Sequence, residues 1–223
     1  MDSEALNRNL IAPLAALDHL TVAALTLEQG VDHVRRALGV VVPPGGAHPL
    51  MGTHNCLMQL GYGEFLEIIA PDPAATPRRT RWFSLDDSRM RARLEQTPQL
   101  ISWVVRVADL GKALHTVDKS VGEAVHLTRG TLSWLISVPS DGSMAFDGAF
   151  PTLIEWPAGP HPASGMADLG CRLEHLRIEH PENTRLAEAL APICSDARVT
   201  ISGGAIPRLW ATIKTPNGLR ELG

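Results

Sequence analysis

Apolar and polar residues alternate with a period of two along several short runs of the chain, and between these runs apolar residues recur every three or four positions. The first run, residues 17–24, predicts a strand by its alternation and β-branched content. Residues 27–38 put Leu27, Val31, Val34 and Leu38 on one helical face, and Gly39 closes that helix. Val40-Val41-Val42 before Pro43-Pro44 predicts a short strand, with a turn at Gly45-Gly46. Residues 54–60 and 65–70 are two more strands joined by a hairpin turn at Gly61-Tyr62-Gly63. The order is β-α-β-β-β.

After a break marked by Pro71, Pro73 and Pro77 comes a basic cluster, Arg78-Arg79-Thr80-Arg81, which reads as a solvated face or, alternatively, as a lid over an anionic ligand. Residues 84–96 look helical, with Ser84 and Asp87 as a capping pair. The same order of elements then returns. It comprises a strand at 100–107, a helix at 110–119 capped by Asp109, a weakly marked strand, a strand at 131–138 and a short strand at 152–156. Residues 157–170 are a loop by composition. The last stretch gives strands at 173–179, 199–202, 208–214 and 219–222, with a helix at 181–193. The organisation expected is an N-terminal arm (1–16), a first module (17–70), a connector with one helix (71–99), a second module (100–156), a linker (157–170) and a third, divergent module (171–223).

The repeat is one of layout. His19 to Glu67 spans 48 positions, Trp103 to Glu155 52 and His175 to Glu221 46. Such units predict an α+β protein of repeated βαβββ modules, forming a curved, partly closed mixed β-sheet barrel with helices outside. Strand parity places Leu17, His19 and Thr21 on one face and Leu20 and Val22 on the other, which takes the helix. Phe65, Glu67 and Ile69 share a face, so His19 and Glu67 can meet on the concave side, and by the same logic Trp103 and Glu155 face it too. Glu67 lies within Phe65-Leu66-Glu67-Ile68-Ile69, where a carboxylate is costly unless it is hydrogen-bonded, paired or metal-bound; Arg106 is one possible partner. His175 with Glu221 is a candidate second site.

Composition narrows the classes. The 223 residues are 44% hydrophobic and 20% charged, with a net charge of −4 and no basic run, which argues against a nucleic-acid or anionic-membrane partner. No apolar run reaches the roughly 20 residues that span a bilayer. The acidic start lacks the basic region of a signal peptide, and Cys56, Cys171 and Cys194 form no CxxC pair, so a reduced cytoplasmic protein is expected. Nucleotide-binding glycine motifs and a Gly-x-Ser-x-Gly elbow are absent from the sequence.

Asp18-His19-Leu20, Gly45-Gly46-Ala47-His48-Pro49 with Gly52-Thr53-His54-Asn55, and Phe65-Leu66-Glu67-Ile68 together resemble the glyoxalase-like branch of the vicinal oxygen chelate superfamily, over about residues 17 to 180. The resemblance implies paired βαβββ modules forming a U-shaped barrel that holds a divalent metal (iron, manganese or zinc). Its ligands would come from the first and last strands of two modules. Those positions fall on His19, Glu67, Trp103 and Glu155; indole cannot coordinate, so His19, Glu67 and Glu155 are the expected metal ligands. Glu67 and His54 are the expected catalytic groups, and Trp103, Asn55 and Thr53 the expected substrate pocket. The implied activity is that of a lyase, isomerase or dioxygenase on a small vicinal-oxygen molecule. The alternative is a metal-free protein that binds a small molecule, with Trp103 as a stacking wall. The modules could pair within one chain or across a homodimer.

Overall fold

The computed structural model describes residues 15–223, so most of the expected N-terminal arm lies outside the described residues. The first half runs β1 (Ala15–Ala23), α1 (Leu27–Leu38), β2 (Pro44–His48), β3 (Thr53–Gly61) and β4 (Glu64–Pro71). Then come α2 (Ser88–Gln96), β5 (Gln99–Val107), α3 (Leu110–Leu114), β6 (Glu123–Arg129), β7 (Leu132–Val138) and β8 (Thr152–Glu155). The chain ends with β9 (Arg172–His180), α4 (Asn183–Leu190), β10 (Val199–Gly203), β11 (Arg208–Thr215) and β12 (Gly218–Leu222).

The helices begin and end for local reasons. Thr26 caps α1 by accepting from the Gln29 amide, and Gly39, at φ 77°, ends it in the left-handed conformation. In α2 the cap is Asp87, whose carboxylate accepts from the Arg89 and Met90 amides, so the helix starts later than Ser84. Phe83 and Ser84 have φ of 57° and 55°, which no helix accommodates. α3 stops at Leu114, short of the expected 119.

Eight strands form one curved sheet in the order β2-β3-β4-β1-β5-β8-β7-β6. Each half is one βαβββ module. Within each, the first strand runs parallel to the last (β1 with β4, β5 with β8), and the halves join where β1 pairs antiparallel with β5. The outer strands β2 and β6 approach each other, leaving the barrel nearly closed.

One apolar cluster lies outside the sheet, where Leu20, Val22, Met58, Leu66 and Ile68 meet Val34 and Leu38 of α1. The other fills the concave side with Ile69, Ile101, Val104, Ile136 and Ile154. Met90 and Leu94 of α2 and Trp82 and Phe83 of the connector pack into this inner cluster, so the connector crosses the hollow. Two arginines of its basic cluster are held: Arg81 pairs with Asp86 at 2.7 Å and donates to Gly52 O, while Arg79 approaches Pro139 O and Glu123.

The second strand differs from expectation. The strand spans Pro44–His48, and Gly45-Gly46 lie within it instead of forming a turn. The last stretch keeps the order β-α-β-β-β but forms a separate sheet, β10-β9-β11-β12, with its first strand inside. Leu176, Ile178, Ala211 and Ile213 seal that sheet onto the outer cluster. Arg198 ties it to the first module through Glu64, at 2.5 Å.

Candidate functional site

Where β1 meets β5 the ladder slips twice, between Leu17 and His19 and between Thr21 and Val22. Asp18 on β1 and Ile101 on β5 are left without partners, each the extra residue of a β-bulge. Leu20 and Trp103 stand opposite each other midway between the bulges. The halves are therefore related about that pair, with Asp18 corresponding to Ile101, His19 to Ser102 and Thr21 to Val104. A bulge breaks the period-two alternation. Leu17 therefore joins Leu20 and Val22 in the outer cluster, and Asp18 and His19 both serve the concave side.

His19 is buried and stacks on Phe65, with ring centroids 4.2 Å apart. Its Nδ1 lies 2.6 Å from Asp18 Oδ1 and its Nε2 lies 3.8 Å from Glu67 Oε2. The second distance is too long for a hydrogen bond. The other Glu67 oxygen accepts from Asn55 Nδ2 at 2.7 Å. Asn55 Oδ1 in turn accepts from the Gly46 amide at 2.8 Å and from Arg129 at 3.2 Å, which fixes the orientation of the amide. A Cβ on Gly46 would stand 2.6 Å from Arg129 Cδ, and one on Gly45 would strike the Asn55 amide. The glycines of β2 thus let the strand pass close over both side chains.

Asp18 is fully buried, and burial alone would raise its pKa. Hydrogen bonds from His161 and His19, with their charge, outweigh that and hold the carboxyl well below the usual carboxylate range. Its second oxygen meets Trp156 Nε1 at 2.9 Å and His161 Nε2 at 2.8 Å. His48 is buried beside Thr53, whose hydroxyl lies 3.2 Å from its Nδ1. Burial is the largest effect on His48 and lowers its pKa to about 4, against the opposing pull of Glu67.

These groups border a partly open hollow with about 400 Å3 of non-atom space, solvent at its mouth included, walled by Phe65, Trp82, Phe83, Trp134 and Trp156. Its polar lining is His19, His48, Asn55, Glu67 and Arg129. A strap from the linker covers it: Met166 lines the cavity, Ala163 packs on Leu57 and Phe65, and Gln59 holds the Met166 carbonyl at 3.1 Å.

Of the residues expected here, His19, Glu67 and Asn55 come together, and Thr53 stands behind His48. Trp103 does not reach the cavity. It lies in the outer cluster, fully buried, and its indole donates to Ala149 O at 2.9 Å. Glu155 is turned away as well, accepting from the Leu110 amide at the start of α3 at 2.7 Å. It is Ile154 that lines the cavity from β8. His54 shares its strand face with Cys56 and Met58, opposite Asn55, and its buried Nε2 has no partner among the described residues. Arg106 bonds to the Gly63 and Leu17 carbonyls rather than to Glu67. His175 and Glu221 flank Thr212 on the outward face of the second sheet, away from the cavity. Asp18, His48 and Arg129 had no expected role. The signal for Asp18 was its place beside His19 in an apolar run; nothing local marked Arg129.

The expected metal centre lacks its donors. The second-module counterparts of His19 and Glu67 are Ser102 and Thr152, by the register of β5 with β8. Ser102 is buried and its hydroxyl already donates to Trp103 O. Among the described residues, no three His, Cys, Asp or Glu side chains stand together as a metal-binding group. One imidazole and one carboxylate with two neutral hydroxyls do not fit a resident transition metal.

Two βαβββ modules joined edge to edge around a polar-lined hollow define the vicinal oxygen chelate architecture. The family model described as the glyoxalase-like domain matches residues 17–194, and the chain belongs to that family. No curated protein sequence matches it. Among solved structures, a hypothetical protein from Staphylococcus aureus superposes with a TM-score of 0.60 at 12% identity, covering 90% of this chain and 91% of that one. A mutant of 4-hydroxymandelate synthase from Streptomyces coelicolor gives 0.51 at 14% identity, covering 92% and 61%. Methylmalonyl-CoA epimerase from Mycobacterium tuberculosis gives 0.42 at 18% identity, covering 70% and 97%. At these identities the likeness to the first two is one of fold. No helix among the described residues is long and apolar enough to cross a membrane.

Proposed function

We propose that this protein is an enzyme of the glyoxalase-like fold that moves a proton on a small oxygenated molecule, as an isomerase or lyase does. The observation that carries the proposal is the pair Glu67 and His19. Glu67 is held through one oxygen by Asn55, and its other oxygen lies 3.8 Å from an imidazole nitrogen.

The chemistry follows from that geometry. With Nδ1 committed to the Asp18 carboxylate, the His19 ring turns Nε2 towards Glu67. Glu67 Oε2 and His19 Nε2 then face a shared space in an aromatic-walled cavity. Glu67 Oε2 takes a proton from carbon next to a carbonyl and returns it to oxygen or to the neighbouring carbon, directly or after passing it to His19 Nε2, so both groups end as they began. Asn55 keeps Glu67 in position throughout. A metal takes no step in this scheme, and the donor set offers no support for the dioxygenase alternative.

The test is exchange. Small 2-oxo and 2-hydroxy acids and their thioesters are incubated with protein in heavy water, and loss of carbon-bound protons is followed by NMR. Wild type should wash out the proton of at least one class, and Glu67→Gln should slow that by about a hundredfold or more. Binding of these compounds without exchange would replace the enzyme reading with that of a metal-free sequestering protein.

A further inference from the structure

Arg129 has no part in that proton transfer, yet it is placed with care. It ends β6, is half-buried, and reaches the cavity only because Gly46 has no side chain to block it. Its one side-chain hydrogen bond among the described residues is to a neutral amide oxygen, Asn55 Oδ1, which the Gly46 amide already uses. No carboxylate among the described residues ion-pairs with it. A guanidinium carries five N–H donors in a planar fork shaped for a carboxylate, and burying it so poorly paired is costly. Both Arg129 and Glu67 line the same cavity; burial lowers the Arg129 pKa and the charge of Glu67 partly offsets this. A second donor on the cavity, the buried indole N–H of Trp82, also has no partner among the described residues.

We infer that the cavity takes an anionic ligand, a small aromatic or conjugated carboxylate whose carboxylate group pairs with Arg129 while its flat body lies against Trp82, Trp134 and Trp156. The inference rests on the small-molecule reading above and adds the ligand's charge and shape to it. Asn55 explains how an anion is tolerated near Glu67. Its amide donates to Glu67 at one end and accepts from Arg129 at the other, so it separates the two charges by one amide group. The proton-transfer pole and the anion pole are thereby set side by side, and the ligand's acidic C–H belongs on a carbon close to its carboxylate.

The experiment uses tryptophan fluorescence of the intact protein, titrated with benzoate and cinnamate and with their neutral counterparts benzamide and cinnamamide. The acids should bind at least about tenfold more tightly than the amides. That preference should shrink between 50 and 300 mM salt, as roughly expected when one partner is only half-buried. Arg129→Gln should reduce it to within about twofold, and Arg129→Lys, which keeps a charge but not the fork, should leave an intermediate preference. Melting curves establish that both variants are folded, and if Arg129→Gln is not, the Lys variant and the salt series decide. Equal binding of acids and amides by wild type, or a preference that survives in a folded Arg129→Gln, overturns the anion site and leaves the small-molecule cavity standing. Binding of neither series overturns both.

Discussion

Asp18 and His19 are neighbours in sequence whose side chains meet at 2.6 Å on the same side of a strand. An unbroken strand forbids this, because successive side chains point to opposite faces. The bulge at Asp18 permits it, and the result is an imidazole oriented by a buried carboxylate that also binds His161 and Trp156.

Replacing that carboxylate should therefore act on stability in acid. The Asp18 pKa is lower in the folded protein than its ordinary 3.8. As pH falls, the unfolded chain takes up the proton first, so the stabilisation is complete above about pH 4 and is lost progressively below it. Asp18→Asn should cost about 3–5 kcal/mol at pH 7, as expected when one member of a buried ionic network is removed. The gap to wild type should narrow below pH 4. Urea melts at pH 7, 4 and 3 measure this, and a gap independent of pH would refute it.

His48 should give a separate window. Its pKa falls from 6.5 to about 4 on folding. Above pH 6.5 both states are neutral and nothing is lost. Between 6.5 and 4 the unfolded chain binds a proton that the folded protein refuses, so stability declines by roughly 3 kcal/mol across that interval. His48→Gln should be less stable than wild type at pH 8, with a markedly shallower slope between pH 6.5 and 4. Parallel slopes would remove His48 as the cause.

How much of this was legible in the sequence depended on where the strands are regular. β4 is free of bulges from Phe65 to Ile69, so the inward direction of Glu67 follows from simple alternation, and the parallel pairing with β1 brings it to His19. Trp103 was misplaced because β5 carries a bulge at Ile101, and a bulge leaves no mark in a hydrophobic pattern. Glu155 was misplaced by one residue, since a four-residue strand has too few positions to fix its phase. His48 and Arg129 lie on edge strands of different modules, and they share a cavity only because the barrel closes. No local window of sequence contains that closure.

The strap over the cavity should control ligand release. His161 meets Asp18 at 2.8 Å, and a hydrogen bond to a charged partner is worth about 1.5–3 kcal/mol. His161→Ala should leave the association rate of an aromatic ligand within about threefold and raise its dissociation rate by about tenfold, since changes at one site fall mostly on release. Stopped-flow quenching of tryptophan separates the two rates. Unchanged dissociation would mean that the 157–170 segment does not gate the cavity.

The matched bulges make the sharpest forecast. If the halves are related about Leu20 and Trp103, the missing donors of a four-ligand site belong at Ser102 and Thr152, not at Trp103 and Glu155. Wild type, with His19 and Glu67 alone filling the four ligand positions, should hold zinc weakly. Thr152→Glu should tighten zinc binding by at least about tenfold, or 1.4 kcal/mol. Adding Ser102→His should tighten it further, despite an overpacking cost of roughly 1–3 kcal/mol at a buried site. Trp103→His should lower stability and leave zinc affinity as it was, because that side chain points into the outer cluster. Competition with a chromophoric chelator reads all four proteins. Tighter zinc binding by Trp103→His than by Thr152→Glu would show that the symmetry axis is misplaced and that the concave face of β5 begins one residue later than the bulge implies.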